Sequence, residues 1–208
     1  MDDKAETTEA AKTDMIDLGP ACAGMWTVAG GVREEQLGGA TPCTEYAVRE
    51  LLAHVVGLCE GLAAGARKER GPATDSAPGS TGLPVLDDGW RAGLERGLGD
   101  LADAWRSPGA WDGWTRAGSV DLPGRMAGFV TLNELLVHGW DLARATGQPY
   151  EPDEASVRAA YAVMAAASFS GDGDRGPFGP PVAVPDSAPP LDRLIGWSGR
   201  DPGWLPGR

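Results

Sequence analysis

The sequence predicts an all-α protein, a bundle of four long amphipathic helices with an extra helix and a Pro/Gly-rich C-terminal coil. Two observations favour this fold class. Apolar residues recur at intervals of three and four along separate segments, as in helices that bury one face. Connections rich in Gly and Pro, which interrupt helices, separate these segments. We therefore expect a helix bundle, a fold that places metal and ligand sites between facing helices.

The first ten residues are polar and acidic, and we expect residues 1–10 to form a mobile tail. We expect residues 11–208 to form one domain, because a chain of 21.6 kDa is of a suitable size for a single domain. Within this domain we expect five helices, at about 14–37, 47–69, 86–105, 125–146 and 153–169.

Each helix is predicted from its own pattern. The first is the weakest, because glycines and Pro20 interrupt it. The second follows a loop at 38–46 and repeats apolar residues at core spacing. The third follows a loop at 70–85 and points its leucines inward, namely Leu94, Leu98 and Leu101. A short extended pair is expected around 114–122.

The last two helices have clear boundaries. Gly147 and Pro149 stop the fourth, and the fifth starts after Pro152 with an acidic first turn that suits the helix dipole. Residues 171–208 are Pro/Gly-rich, and we expect them to wrap the bundle as ordered coil. The connections 70–85 and 107–124 are long enough to be functional lids, so they are candidate rims of a cavity.

Composition excludes several classes of protein. A formal net charge of −12 argues against nucleic acid or an anionic membrane as a partner, because both attract clustered Lys and Arg. Three cysteines fit a reducing compartment, and neither a signal peptide nor a membrane span is predicted. We therefore expect a cytoplasmic protein with a small-molecule partner, either a monomer or a homodimer.

The chain has only two histidines, His54 and His138. Glu134 precedes His138 by four residues, which places both side chains on one helix face. A second helix packed alongside would bring His54 to the same point, and two imidazoles with one carboxylate are a suitable ligand set for a catalytic divalent metal. The alternative is a core histidine together with a solvated Glu/His pair.

Three further features allow two interpretations each. Asp141, one turn after His138, is either an acceptor for the imidazole N–H of a ligand histidine or an exposed carboxylate paired with Arg144 or Arg125. Cys43 precedes a helix N-terminus and is either a reactive thiolate or a small buried residue. The loop aromatics either form a pocket mouth or cover the core, and they are Trp111, Trp114 and Phe178.

Two motifs carry a resemblance to a known family. The string TPCTEYAVRELLAHVVG, followed later by ELLVHGWDLARATGQP, resembles the metal-binding DinB-like superfamily. The closest similarity is to its actinobacterial branch, related to the N-terminal domain of mycothiol-dependent maleylpyruvate isomerase. The end of the chain, FGPPVAVPDSAPPLDRLIGWSGRDPGW, is similar to other members of that branch. This resemblance implies an up-down four-helix bundle and the metal ligands His54, Glu134 and His138.

The resemblance implies a metal-dependent enzyme and leaves its chemistry open. Zinc is the first choice of metal, with nickel, iron or manganese as others, and mycothiol is a candidate cofactor. With a thiol cofactor, the protein would be an isomerase or S-transferase acting on an electrophilic small molecule. The alternatives are a thiol-independent hydrolase, lyase or cyclase in biosynthesis, and a non-catalytic metal- or metabolite-binding protein. The catalytic residues besides the metal ligands are not identified by the sequence.

Overall fold

The computed structural model describes residues 15–76, 82–166 and 179–207. Within these ranges the chain is mainly helical, with one two-stranded antiparallel sheet, so the all-α prediction is confirmed. The strands are β1 (Trp114–Ala117) and β2 (Val120–Pro123), and a 3-10 turn spans Glu34–Gln36. The helices are α1 (Gly19–Gly30), α2 (Val48–Ala66), α3 (Pro72–Asp75), α4 (Trp90–Trp105), α5 (Pro108–Trp111), α6 (Gly124–Thr146), α7 (Glu154–Ala166) and α8 (Pro190–Trp197).

Four helices form the bundle. Each of α1 and α2 packs against both α4 and α6, which closes a ring of four around one core. Fully buried apolar side chains fill this core, among them Met25, Leu51, Leu94 and Leu136. Helix α7 packs on α6, and α8 packs on α7. Within the described ranges, no helix is both long enough and apolar enough to cross a bilayer.

Several boundaries differ from those predicted. The first helix covers Gly19–Gly30 rather than 14–37, because the Asp17 carboxylate accepts the Gly19 N–H at its start and two glycines follow one another at its end. The third begins later than predicted, at Trp90. The apolar piece near 191–197, expected as coil, forms helix α8 instead, since Pro190 suits a first turn. The predicted N-terminal tail lies outside the described residues.

The start of α2 is capped by backbone instead of a side chain. Ala47 at the cap position has no hydroxyl to offer, and no side-chain bond is present there. The Val48 and Arg49 N–H groups donate to the carbonyls of Gly39 and Leu37, each at 2.9 Å. The chain therefore turns back on itself between Leu37 and Ala47, and this returning segment lies over the first turns of α2. We call it the 37–47 loop.

Candidate metal centre

Helices α2 and α6 bring three potential metal ligands together. His54 comes from α2, and Glu134 and His138 come from α6, one turn apart. One ligand atom from each side chain lies within 4.8 Å of the other two. The two imidazole rings meet edge to face, with centroids 5.1 Å apart. The structure thus places the three side chains at one point, and that they bind a metal stays a prediction.

His138 lies between two carboxylates. Its Nε2 is 3.0 Å from Oε2 of Glu134, and its Nδ1 is 3.0 Å from Oδ2 of Asp141. Burial lowers the pKa of His138, but hydrogen bonds to Asp141 and Glu134 outweigh it and raise the pKa to about 9. Because an ionised carboxylate only accepts, the form that satisfies both contacts is the imidazolium, with a proton on each nitrogen.

The same pairing acts on Glu134. Burial raises the pKa of this carboxyl, yet the hydrogen bond to His138 and the charge of that ring outweigh burial and lower the pKa overall. Glu134 is therefore ionised at neutral pH and holds the imidazolium proton on Nε2. A divalent cation could take the place of the proton on Nε2 and bind both His138 and Glu134.

His54 differs from His138 in having no hydrogen bond to any residue in the described part of the chain. Burial lowers its pKa to about 4, and the charge of His138 adds to the shift. The ring is therefore neutral at physiological pH, with one nitrogen lone pair available. The Tyr46 ring lies against it, with centroids 5.1 Å apart and an interplanar angle of 34°. An unpartnered, neutral imidazole beside a carboxylate is well suited to ligate a metal.

Asp141 is fully buried on α6, at 0% exposure. Its Oδ2 accepts from His138 and also lies 3.2 Å from Nη2 of Arg200. The alternative of an exposed carboxylate paired with Arg144 or Arg125 is therefore wrong, because Asp141 is buried and its ion pair is with Arg200. Arg144 donates instead to the Pro202 carbonyl at 2.6 Å. Asp141 has the position of an outer residue that orients a ligand histidine.

Three residues near the site were not assigned to it from the sequence: Cys43, Tyr46 and Arg200. The Cys43 sulfur lies within 4.8 Å of ligand atoms of His138 and Asp141. Burial raises the pKa of this thiol to about 11, and the Asp141 charge contributes. Cys43 is therefore protonated at neutral pH, which argues against the reactive-thiolate interpretation. The sequence around Arg200 has no pattern from which its contact with Asp141 could be predicted.

The connection 107–124 does not form the rim of this site. Within it, the Thr115 hydroxyl donates to the Gly65 carbonyl, and the Ala110 carbonyl accepts from the Lys68 ammonium at 2.8 Å. Gly65 lies eleven residues beyond His54 on α2, or roughly 16 Å at 1.5 Å per residue. The predicted rim is therefore at the other end of the helix, and the 37–47 loop and Arg200 border the site instead.

None of the three loop aromatics is seen, in the described part of the chain, to form the mouth of a pocket at this site. Trp111 is buried and packs edge to face against Trp105 and Phe129, so it covers the core. Trp114 is 68% exposed on the hairpin, and Phe178 lies outside the described residues. Gly139, next to His138 in sequence, leaves room for a neighbouring side chain, because a Cβ there would lie 2.7 Å from the Tyr150 hydroxyl oxygen. Tyr150 therefore packs directly against α6 at this position.

The three side chains fit a divalent cation. Zinc bonds of about 2.0–2.1 Å to nitrogen set tetrahedral ligand atoms about 3.3 Å apart. The 3.0 Å between His138 Nε2 and Glu134 Oε2 is close to that spacing, and His54 lies within 4.8 Å of both. Two imidazoles and one carboxylate leave a coordination position open, as catalytic sites do.

The chain is a four-helix bundle in which two histidines and one glutamate converge between two helices. This arrangement is typical of candidate metal-binding helix bundles. Residues 18–143 match the family model described as the mycothiol maleylpyruvate isomerase N-terminal domain. The chain belongs to this family. The matched region runs from just before α1 into the last turn of α6, so it includes His54, Glu134 and His138.

Individual proteins are also similar to this chain in sequence or in fold. Two uncharacterized proteins from two strains of Mycobacterium tuberculosis are each 31% identical to this chain over 172 residues, covering 81% of it and 87% of the relative. A crystal structure of a histidine-to-alanine mutant of the mycothiol-dependent maleylpyruvate isomerase aligns with a TM-score of 0.54. That match has 18% identity and covers 69% of this chain and 65% of the isomerase chain, so it shows a shared fold.

Proposed function

We propose that this protein is a metal-dependent enzyme that acts on an electrophilic small molecule with a thiol, mycothiol in the first instance, as cofactor. The reaction class is isomerisation or S-transfer. The observation that carries the proposal is the convergence of His54, Glu134 and His138 within 4.8 Å, where His54 makes no hydrogen bond to a described residue. Membership of the mycothiol maleylpyruvate isomerase N-terminal domain family supports the choice of thiol.

A divalent cation at this position, zinc being our first choice, would supply Lewis acidity that lowers the pKa of a thiol. The chain's own residues would prepare the position. Asp141 accepts the Nδ1 proton of His138 and fixes which ring nitrogen faces the site. Glu134 contributes one negative charge, and His54 contributes a neutral nitrogen.

The nucleophile in this proposal comes from the cofactor and not from the protein. Cys43 is the cysteine nearest the candidate ligands in the described part of the chain, and its pKa is raised to about 11. A thiol with that pKa supplies little thiolate at neutral pH. Tyr46 borders the site, and its pKa is raised, by burial first and then by the charge of Glu45, so its hydroxyl stays neutral.

The test combines metal analysis with a thiol-dependent activity screen. Purified protein should contain about one divalent cation per chain, and His54→Ala should lose it. Turnover of electrophilic substrates, maleylpyruvate first, should need both metal and mycothiol, while Cys43→Ala should keep most of the activity. Full metal retention in His54→Ala would overturn the site.

The cobalt-substituted protein separates the remaining functions. A thiol that binds the metal should produce a sulfur-to-metal charge-transfer band, because thiolate is a soft ligand. If no thiol changes the spectrum or supports turnover, the thiol proposal is wrong, and the thiol-independent hydrolase, lyase or cyclase replaces it. If metal is bound and no substrate turns over, the non-catalytic binding function replaces both.

A further inference from the structure

We propose that Arg200 is a positioning residue of this site, acting through Asp141 on the ring of His138. The C-terminal segment, by which we mean residues 179–207, would then be part of the site instead of a covering for the bundle. This inference deepens the proposed function and rests on it in one respect, namely that His138 is a metal ligand. It makes no use of the thiol chemistry.

The contacts form a chain of three side chains from two distant parts of the sequence. Nη2 of Arg200 lies 3.2 Å from Oδ2 of Asp141, and the same oxygen lies 3.0 Å from Nδ1 of His138. The other carboxylate oxygen, Oδ1, is buried and has no hydrogen-bond partner among the described residues. Asp141 is therefore held through one oxygen, and Arg200 makes one of the two bonds that fix it.

Burial makes this bond matter. The exposed fractions of the three side chains are 13% for Arg200, 0% for Asp141 and 7% for His138. An ion pair shielded from water interacts more strongly than one at the surface, and a buried carboxylate that loses a partner is left with a desolvation cost. Without Arg200, the Asp141 carboxylate would keep one hydrogen bond among the described residues, the one from His138.

The segment that carries Arg200 is firmly attached to the bundle. Leu194 and Ile195 of α8 are fully buried, and α8 packs on α7. Within the segment, the Val182 N–H donates to the Gly196 carbonyl at 2.9 Å. A Cβ on Gly196 would overlap a methyl group of Val184, so α8 is in close contact with the chain around Val184. Arg200 also anchors itself, since its Nη1 donates to the Ser198 carbonyl at 2.9 Å. The guanidinium is thus presented from a fixed backbone.

Arg144 and Arg200 allow attachment of the C-terminal segment to be tested separately from positioning of Asp141. Arg144 on α6 donates to the Pro202 carbonyl, so it attaches the C-terminal segment close to Arg200 without hydrogen-bonding to Asp141. Arg200 touches Asp141 itself. If the segment served only as a cover, removal of either arginine would affect the site equally. If Arg200 positions the carboxylate, only its removal changes the imidazole.

The first experiment measures the dissociation constant of zinc by chelator competition. Arg200→Met keeps the aliphatic stem and should weaken zinc binding about tenfold, the lower end of the range for residues that orient a ligand. Arg200→Lys should recover part of this loss, because it keeps the charge and one donor. The control, Arg144→Met, should stay within about twofold of wild type. Equal zinc binding in Arg200→Met and wild type, or an equal loss in Arg144→Met, would overturn the proposal.

A double-mutant cycle tests the route through Asp141. Asp141→Asn should weaken zinc binding on its own, and adding Arg200→Met to it should have almost no further effect, because the two residues act in series. Full additivity of the two losses would show that Arg200 acts by another route and would overturn the positioning role.

A metal-free measurement keeps this inference separate from the proposed function. The chain has two histidines, so imidazole NMR signals can be assigned with His54→Ala alone. Wild type should show a protected Nδ1 proton for His138, and Arg200→Met should lose that protection while Arg144→Met keeps it. If wild type binds no divalent cation, the proposed function fails, and this signal still decides the role of Arg200. An unchanged signal in Arg200→Met would contradict it.

Discussion

The two histidines of this protein face each other across one site, yet α2 and α6 prepare them in opposite ways. His138 on α6 is fixed by Glu134 on one nitrogen and Asp141 on the other, and its pKa is raised to about 9. His54 on α2 is largely buried, makes no hydrogen bond to any described residue, and has a pKa lowered to about 4 by that burial.

The difference shows how a buried site can hold two imidazole rings close together without placing two positive charges side by side. Two imidazolium rings at 5.1 Å would repel each other in a medium of low dielectric constant. One charged ring between carboxylates and one neutral ring avoid this repulsion. The α6 half therefore carries the charge network, and the α2 half carries a free lone pair.

The largest expected effect comes from removing each ring in the metal-free protein. His138→Ala leaves Glu134 and Asp141 without their shared partner, so we expect a loss of about 3–5 kcal/mol in the free energy of unfolding. His54→Ala breaks no hydrogen bond to a described residue and should cost about 1 kcal/mol through lost packing. Chemical denaturation at pH 7 in the presence of a chelator measures both.

His138→Gln is a suitable companion variant, because an amide keeps donor capacity without the charge. It should be destabilised less than His138→Ala if hydrogen bonding contributes beside charge. Equal losses for His54→Ala and His138→Ala would show that the two halves of the site are alike, contrary to our description.

The second prediction concerns pH and the same metal-free protein. His138 has a raised folded pKa, so its contribution to stability is present below its unfolded pKa of 6.5 and is lost as pH rises through about 9. His54 has a lowered folded pKa, so its contribution is present above 6.5 and is lost as pH falls through about 4. The combined contribution of the two histidines to stability should therefore peak near pH 6.5, with each limb on the order of 3 kcal/mol.

The two variants assign the two limbs. His138→Ala should remove the alkaline decrease, and His54→Ala should flatten the decrease between pH 6.5 and pH 4. Stability curves measured by denaturant titration across this range check both. An alkaline decrease that persists in His138→Ala would mean that another group causes it.

The smallest expected effect is on the α2 half alone. Ala47→Ser adds a side-chain acceptor at a helix start that now has none, and should raise the free energy of unfolding by up to about 1 kcal/mol. Zinc affinity should not change, because the cap lies two turns before His54 and outside the network of α6. Thermal denaturation and chelator competition measure the two quantities. A change in zinc affinity would show that α2 is less rigid than its backbone contacts imply.

The parts of this structure that could be predicted from sequence are those that depend on spacing within one helix. The four-residue interval between Glu134 and His138 places them on one face whatever else surrounds them. Apolar periodicity likewise predicts the long helices, and it fails at the first helix because glycines and a proline make its ends ambiguous.

The parts that could not be predicted depend on packing between distant segments. Arg200 reaches Asp141 across 59 residues, through a Pro/Gly-rich segment with no periodicity from which its path could be derived. The candidate rim differs from the prediction for a similar reason. Length and composition predict both 70–85 and 107–124 as rims, but hydrogen bonds to Gly65 and Lys68 tie 107–124 to the other end of α2.

The 37–47 loop has a consequence for how related proteins diverge. Its first residues accept main-chain hydrogen bonds from the first turn of α2, through the carbonyls of Leu37 and Gly39, and the Thr41 hydroxyl donates to the carbonyls of Cys43 and Tyr46. Main-chain bonds do not depend on which side chain a residue carries. Positions 43 to 46 can therefore change identity in descendants without shifting the helix beneath them. The surface beside His54 can therefore vary through this loop while α2 and α6 keep their positions.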